Sequence, residues 1–195
     1  ARDPARLAEL GRAGGEVTGL GLDVTRPEEV AAVASGIRRP IDIVVCNAGQ
    51  FVARGGIEDP DYTAEAWSSM LMTNVAGPFF TIRGFLSHLE GAQRPRAAVI
   101  SSIMASSARA PGRAYIYRAS KAAATNLARN LAVDLKPRGI AVGAYHPGWV
   151  RTDMGGEAAE ISVEESAAGL LARFEALSLE TTGVFEDYRG EAMPW

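Results

Sequence analysis

The sequence predicts an α/β protein: a doubly wound parallel sheet with helices on both faces. Three observations predict it. Short apolar runs alternate with longer amphipathic ones; the runs at 41–49 and 139–148 are almost continuously apolar, as strands buried on both faces are; and each run ends in small, polar or turn-forming residues. Helical patterns of ten or more residues between the strands supply the crossovers that parallel pairing requires.

Taken in order, EVTGLGLDV (16–24) reads as a strand, rich in β-branched residues and glycine. Thr25 then opens a helix with Glu28 three places on, the spacing of a capping box. IDIVVCNAG (41–49) is the next strand, and a helical pattern occupies about 62 to 90, bracketing TNVAGPFF. RAAVISS (96–102) is a strand, and 114 to 135 is a helix stopped by Pro137 and Gly139. GIAVGAYHPG (139–148) is a buried strand ending in a Pro-Gly turn. Ser162 caps the last long helix with Glu165 in the capping-box position, and TGVFEDY (182–188) closes the sheet. No repeat, low-complexity tract or linker divides the 195 residues, so one domain is expected.

Composition narrows the function classes. A net charge of −3 argues against a nucleic-acid or anionic-membrane partner, and no apolar run approaches the ~20 residues of a membrane span. A single cysteine, Cys46, excludes an internal disulfide; inside an apolar strand it reads as a packed thiol, and a cytoplasmic, reducing setting is expected. His88 and His146 lack metal-ligand spacing and an acidic partner in motif range, so both are read as structural, and no metal is expected.

Chemistry concentrates at AYIYRASKAAA (114–124). In a helix, residues i and i+4 share a face, so the phenol of Tyr117 and the ammonium of Lys121, one of only two lysines, project into the same space. In open parallel sheets ligands bind beyond the carboxyl ends of the strands. The segments that follow the strands here are Asp23-Val24-Thr25, Asn47-Ala48-Gly49, Ser101-Ser102 and His146-Pro147-Gly148-Trp149, all on one rim. The helix bearing Tyr117 begins just after Ser101-Ser102 and leans over that rim.

LDVT, CNAG, TNVAGPFF, VISS, YRASK and PGWVRTDM follow one another in the order and at the spacing of the short-chain dehydrogenase/reductase family, which the chain resembles over nearly its whole length. The ending, ISVEESAAGLLARFEAL followed by TGVFEDYRGEAMPW, resembles the C-factor-like branch of that family. The resemblance implies a Rossmann-like fold with strand order 3-2-1-4-5-6-7, in which 16–24 is the third strand and 41–49 the fourth. It implies Tyr117 as general acid/base, Lys121 lowering the phenol's pKa and holding the nicotinamide ribose, Ser102 polarising the substrate oxygen, and Asn74 completing a water-linked proton relay. It also implies Asn47, Ala48 and Gly49 along the cofactor, Asp23 and Val24 near the adenine, and Pro147, Gly148, Val150 and Thr152 around the carboxamide and phosphates. Ser102 lies fifteen residues before Tyr117, two more than the commonest family spacing, so Ser101, Ser106 and Ser107 stay as competitors. Met104, Trp149 and Met154 either line an apolar substrate pocket or serve only in packing, and the loop from Arg151 to Ile161 covers that pocket.

The family's glycine-rich phosphate loop has no counterpart in these residues. Gly19-Leu20-Gly21 lies inside a strand pattern and opens no helix, while Gly11 and Gly14-Gly15 read as the end of a helix starting near Pro4. The family's first strand–helix–strand unit is therefore absent from this sequence, and a native sheet is expected to need roughly 25–30 residues upstream. Arg2 would sit at the end of the second strand. An arginine there, without a carboxylate to take the ribose hydroxyls of NAD, suits the 2′-phosphate of NADP.

The expected function is hydride transfer between NADP(H), with NAD as the alternative, and a small-molecule carbonyl or secondary alcohol. A non-catalytic signalling or binding protein retaining the fold is the second reading. A hydrolase is not supported, because neither histidine stands in a nucleophile–base arrangement. Apolar residues on more than one face of the helices at 62–90 and 114–135 predict a homodimer or homotetramer.

Overall fold

Strands β1 (Ile43–Cys46), β2 (Arg96–Ile100), β3 (Ala141–His146) and β4 (Phe185–Asp187) pair in chain order, every neighbour parallel. That is the order expected of the family's last four strands. The computed structural model describes residues 16–195; the helix expected from Pro4, its closing glycines and Arg2 lie outside the described residues. The helices are α1 (Pro27–Gly36), α2 (Ala64–Leu71), α3 (Gly77–Gly84), α4 (Leu86–Glu90), α5 (Tyr115–Leu135) and α6 (Val163–Ala176).

The period-2 alternation of the strands sorts their side chains onto two faces. Val44, Cys46, Ala97, Val99, Val142 and Ala144 pack with α1, α3 and α5 on one face. Ala98, Ile100 and Tyr145 pack with Phe174 of α6 on the other. Helices therefore cover both faces, as the fold class requires. Cys46 is a buried free thiol whose pKa burial pushes up to about 12, in keeping with a packing role.

Three expectations change. Residues 16–22 form no strand; Leu22 reaches the core, but no ladder partner exists for the segment among the described residues. A strand is defined by its ladder, so apolar pattern alone does not make one. β1 is the sheet's outer strand among the described residues, and Val45 stays 41% exposed, lining the cleft between β1 and residues 22–25. At α1, Thr25 does not cap. Asp23 Oδ1 accepts from the Thr25 N–H at 2.9 Å and its hydroxyl at 2.8 Å, Glu29 rather than Glu28 reaches back to the Asp23 N–H at 2.9 Å, and Pro27 starts the helix. At α6 the N-cap half of the expected capping box forms: Ser162 Oγ accepts from the Glu165 N–H at 3.1 Å, while the Glu165 carboxylate faces the Tyr188 hydroxyl at 3.5 Å.

The helical pattern at 62–90 is real but broken. α2 passes into a π turn (Met72–Ala76) before α3 resumes, and α4 follows a short interruption at Phe85. Pro78 at the start of α3 has no N–H to offer the preceding turn, which favours a change of helical register there. Gly77 packs so closely on Val24 that an added Cβ would lie 2.9 Å from Val24 Cγ2. This approach brings the turn after residue 22 against the helices that carry the site.

Candidate active site

α5 starts in an unusual way. Arg113 and Ala114 both have left-handed backbone (φ 64° and 49°), and the Tyr62 phenol, not an N-cap side chain, accepts the Tyr115 N–H at 3.2 Å. Non-glycine residues take that conformation at a cost, and such strain gathers at functional sites. The effect is to aim the first turns of α5 over the carboxyl end of β2.

Tyr117 and Lys121 lie on one face of that helix, both more than nine-tenths buried, with Lys121 Nζ 5.7 Å from the Tyr117 ring centroid. Burial raises the Tyr117 pKa, while a hydrogen bond with Ser102 and the charge of Arg54 pull it back. Lys121 Nζ donates to the Ile100 carbonyl at 2.7 Å, and burial lowers its pKa to about 8. Arg54 adds positive charge beside the phenol, and the Lys121 ammonium lies over the same ring.

The competing serines separate by their partners. Ser101 Oγ is tied to Thr125 Oγ1 at 2.5 Å and to the Lys121 carbonyl at 3.3 Å, behind α5. Ser106 Oγ donates to the Trp195 carbonyl at 3.4 Å, and Ser107 lines a groove beside Trp195. Ser102 alone of the four interacts with Tyr117, while its Oγ also accepts from the Met104 N–H at 3.1 Å.

Asn74 is buried in the π turn. Its side chain accepts from the Gln50 N–H at 2.8 Å and donates to the Gln50 carbonyl at 3.0 Å and to Ser120 Oγ at 2.9 Å. Ser120 Oγ in turn donates to the Tyr117 carbonyl at 2.8 Å. Gly49 runs between the two groups: a Cβ there would stand 3.6 Å from Asn74 Oδ1 and 3.7 Å from Lys121 Nζ. Asn74 thus pins the turn after β1 against α5.

Beside this cluster opens a cleft of about 710 Å³, and Asp23, Val24, Asn47, Ala48 and Gly49 all line it. It runs between residues 22–25 and the open edge of β1, the place that the resemblance gives to the family's first strands, so its volume is not the measure of a ligand; bare glycine at position 49 leaves the approach to the Lys121 ammonium open. A nicotinamide nucleotide is the ligand that the resemblance implies for Asn47, Ala48 and Gly49. Pro147, Gly148, Val150 and Thr152 lie apart from that cleft, in the segment after β3. There Gly148 turns with φ 83°, Val150 bridges to Ile161, and Thr152 Oγ1 accepts from the Gly155 N–H at 3.1 Å. Met104 packs into the Tyr117 cluster, whereas Trp149 is half exposed with its indole N–H on the Gly155 carbonyl.

Sequence motifs did not signal Phe51, stacked on Tyr117 at 4.1 Å, or Arg54 beyond it. His88 bonds the Ile37 carbonyl through Nε2 at 3.0 Å. His146 is held neutral by burial, its pKa lowered to about 4. Among the described residues no cluster of His, Cys, Asp and Glu could hold a metal ion, and no helix is long and apolar enough to cross a membrane.

Residues 2–161 match the short chain dehydrogenase family, and the chain belongs to it. Along 157 residues it is 37% identical to C-signal of Myxococcus xanthus, covering 80% of this chain and 93% of that one. It is 33% identical over 185 residues to 1-hydroxy-2-glutathionyl-2-methyl-3-butene dehydrogenase of Rhodococcus sp. (strain AD45), covering 90% and 79%. Among solved structures, NADPH-bound carbonyl reductase from chicken fatty liver superposes with TM-score 0.88 at 30% identity, over 98% of this chain and 82% of the other. Carbonyl reductase Sniffer of D. melanogaster does so at 0.91 and 25%, over 98% and 83%. The chain is an oxidoreductase of the short-chain type, a class that uses NAD(P).

Proposed function

We propose that this enzyme is an NADP(H)-preferring carbonyl reductase or secondary alcohol dehydrogenase in which Tyr117 is the general acid/base. The observation that carries the reading is the joint projection of Tyr117 and Lys121 from α5 toward Ser102 and Gly49. The bound nucleotide supplies or accepts the hydride. The Tyr117 phenol gives a proton to the carbonyl oxygen in reduction and takes one from the alcohol in oxidation. A free phenol, with pKa about 10, is a poor base at neutral pH. Ser102 hydrogen-bonds the phenol and stands where it can also meet the substrate oxygen, stabilising the charge that develops there. Lys121 holds the ribose and connects the phenol to Asn74, which completes the proton relay.

Asn47, Ala48 and Gly49 lie along the nucleotide, with Asp23 and Val24 toward the adenine. Pro147, Gly148, Val150 and Thr152 are assigned to the carboxamide and phosphates on the family pattern. The preference for NADP(H) is supported by the likeness to the NADPH-bound reductase and by Arg2. We assign the assembly as a homodimer or homotetramer, supported by Trp67, Leu71 and Met72 near the end of α2 and by Val133 of α5, all substantially exposed. The setting we propose is the cytoplasm, supported by the lone buried thiol.

The test is a fluorescence titration with NADPH and with NADH, followed by reductase assays against a panel of aldehydes and ketones. Tighter NADPH binding with turnover of at least one carbonyl supports the reading. Binding of neither nucleotide, or binding without turnover across the panel, contradicts it.

A further inference from the structure

The loop between β1 and α2 carries a guanidinium that proton transfer does not require. Phe51 stacks on Tyr117 with ring centroids 4.1 Å apart and planes at 22°, and Arg54 Cζ lies over the Phe51 ring at 4.4 Å. The three side chains form one stack, so the guanidinium is no farther from the Tyr117 ring than those two spacings together. Arg54 is also fixed in place. Ala53 before it has left-handed backbone (φ 52°) and buries its methyl against the Tyr117 cluster, which turns the next side chain outward. Gly55 after it is held by its N–H on Asp59 Oδ2 at 2.7 Å. Its carbonyl accepts from the Tyr62 phenol at 2.8 Å and the Ala114 N–H at 3.1 Å. A strained, anchored turn spent on presenting an arginine asks what the arginine is for.

Its protein partners do not answer. Arg54 Nη2 donates to the Met154 carbonyl at 3.0 Å, joining the β1–α2 loop to the segment between Arg151 and Ile161. A guanidinium has five N–H donors, and this is the one it gives to protein among the described residues. No carboxylate of the described residues forms an ion pair with it. The cation is thus presented at the edge of the site, beside the phenol and under the segment after β3, with most of its donors available.

We propose that Arg54 is a substrate-recognition residue that anchors an oxyanion group, carboxylate or phosphate, borne by the carbonyl or alcohol substrate. This rests on the proposed function, because it places the reacting oxygen at Tyr117 and Ser102. The planar fork of arginine matches two oxygens of either group, and a site built to pair a charged group discriminates strongly against a neutral analogue. The stack sets the reach: a rigid aromatic ring bearing the alcohol at one end and the oxyanion at the other spans it. When the substrate docks, the Met154 carbonyl keeps one N–H and the oxyanion takes others, so the loop contact and recognition coexist.

The test is equilibrium binding by calorimetry, with and without NADP, of three probes on one scaffold. These are 4-carboxybenzyl alcohol, 4-(hydroxymethyl)phenyl phosphate and the neutral methyl 4-(hydroxymethyl)benzoate. The wild-type chain is expected to bind at least one oxyanion probe about tenfold or more tighter than the ester. Arg54→Gln should bring that ratio close to one, and Arg54→Lys should retain part of it. Equal wild-type affinities, or a ratio that Arg54→Gln leaves untouched, overturns the proposal. Because the readout is binding, a wild-type chain that prefers the oxyanion but turns over no aldehyde counts against the proposed reaction and not against the anchor.

Discussion

Replacing Lys121 by methionine tests the electrostatics of the site without relying on turnover. The lysine is 4% exposed, has one carbonyl partner, and titrates near 8 rather than the usual 10.5 because burial disfavours its charge. The folded-state pKa lies below the unfolded one, so between those values the unfolded chain binds more protons and stability rises with pH. At pH 7 the charged lysine costs the fold about 3 kcal/mol, a cost that fades as pH passes from about 8 toward 10.5. Methionine has no charge to desolvate and similar length. Urea denaturation of both proteins from pH 7 to 10 should therefore show the wild type gaining about 2.5 kcal/mol relative to Lys121→Met, other titrations cancelling in the difference. A flat difference across that range would mean that Lys121 is not held as a desolvated ammonium, and the site's geometry would need redrawing.

Further outcomes follow from the same contacts. Ser102→Ala should lower kcat by about a hundredfold or more, measured by NADPH consumption, while leaving the thermal midpoint nearly unchanged, since its main structural duty is one bond to Met104. Asn74→Ala removes three hydrogen bonds and leaves Gln50 backbone groups without them; a loss of about 2 kcal/mol in urea denaturation is expected. Gly148→Ala places a methyl in a left-handed turn and against Ile161 Cδ1, and should destabilise by about 2 kcal/mol, seen as a lower midpoint.

The parts of the site that local pattern could reveal were those carried on one element. Tyr117 and Lys121 share a face because both sit on a 21-residue helix, and helical period alone says so. The strand ends at Asn47, Ser102 and His146 were legible from apolar runs. What local pattern could not reveal depends on partners distant in sequence. The break at Asn74 is secured by Gln50 and Ser120, and Ser101 is drawn behind α5 by Thr125. Residues 16–22 have a strand's composition but no described ladder to join, and Val45 has a core residue's character on the outer strand among the described residues. Arg54 had no motif at all; its place follows from a positive φ at the alanine before it.

The central claim is that the Tyr117 hydroxyl moves the proton. The direct measurement is steady-state NADPH oxidation with a carbonyl that the wild type reduces, compared with Tyr117→Phe, alongside NADPH affinity for both. The account predicts a loss in kcat of about a thousandfold or more with nucleotide affinity within a few-fold, because the phenyl ring keeps the stack on Phe51 and only the acid is gone. A Tyr117→Phe protein that reduces the same carbonyl at near wild-type rate would contradict it.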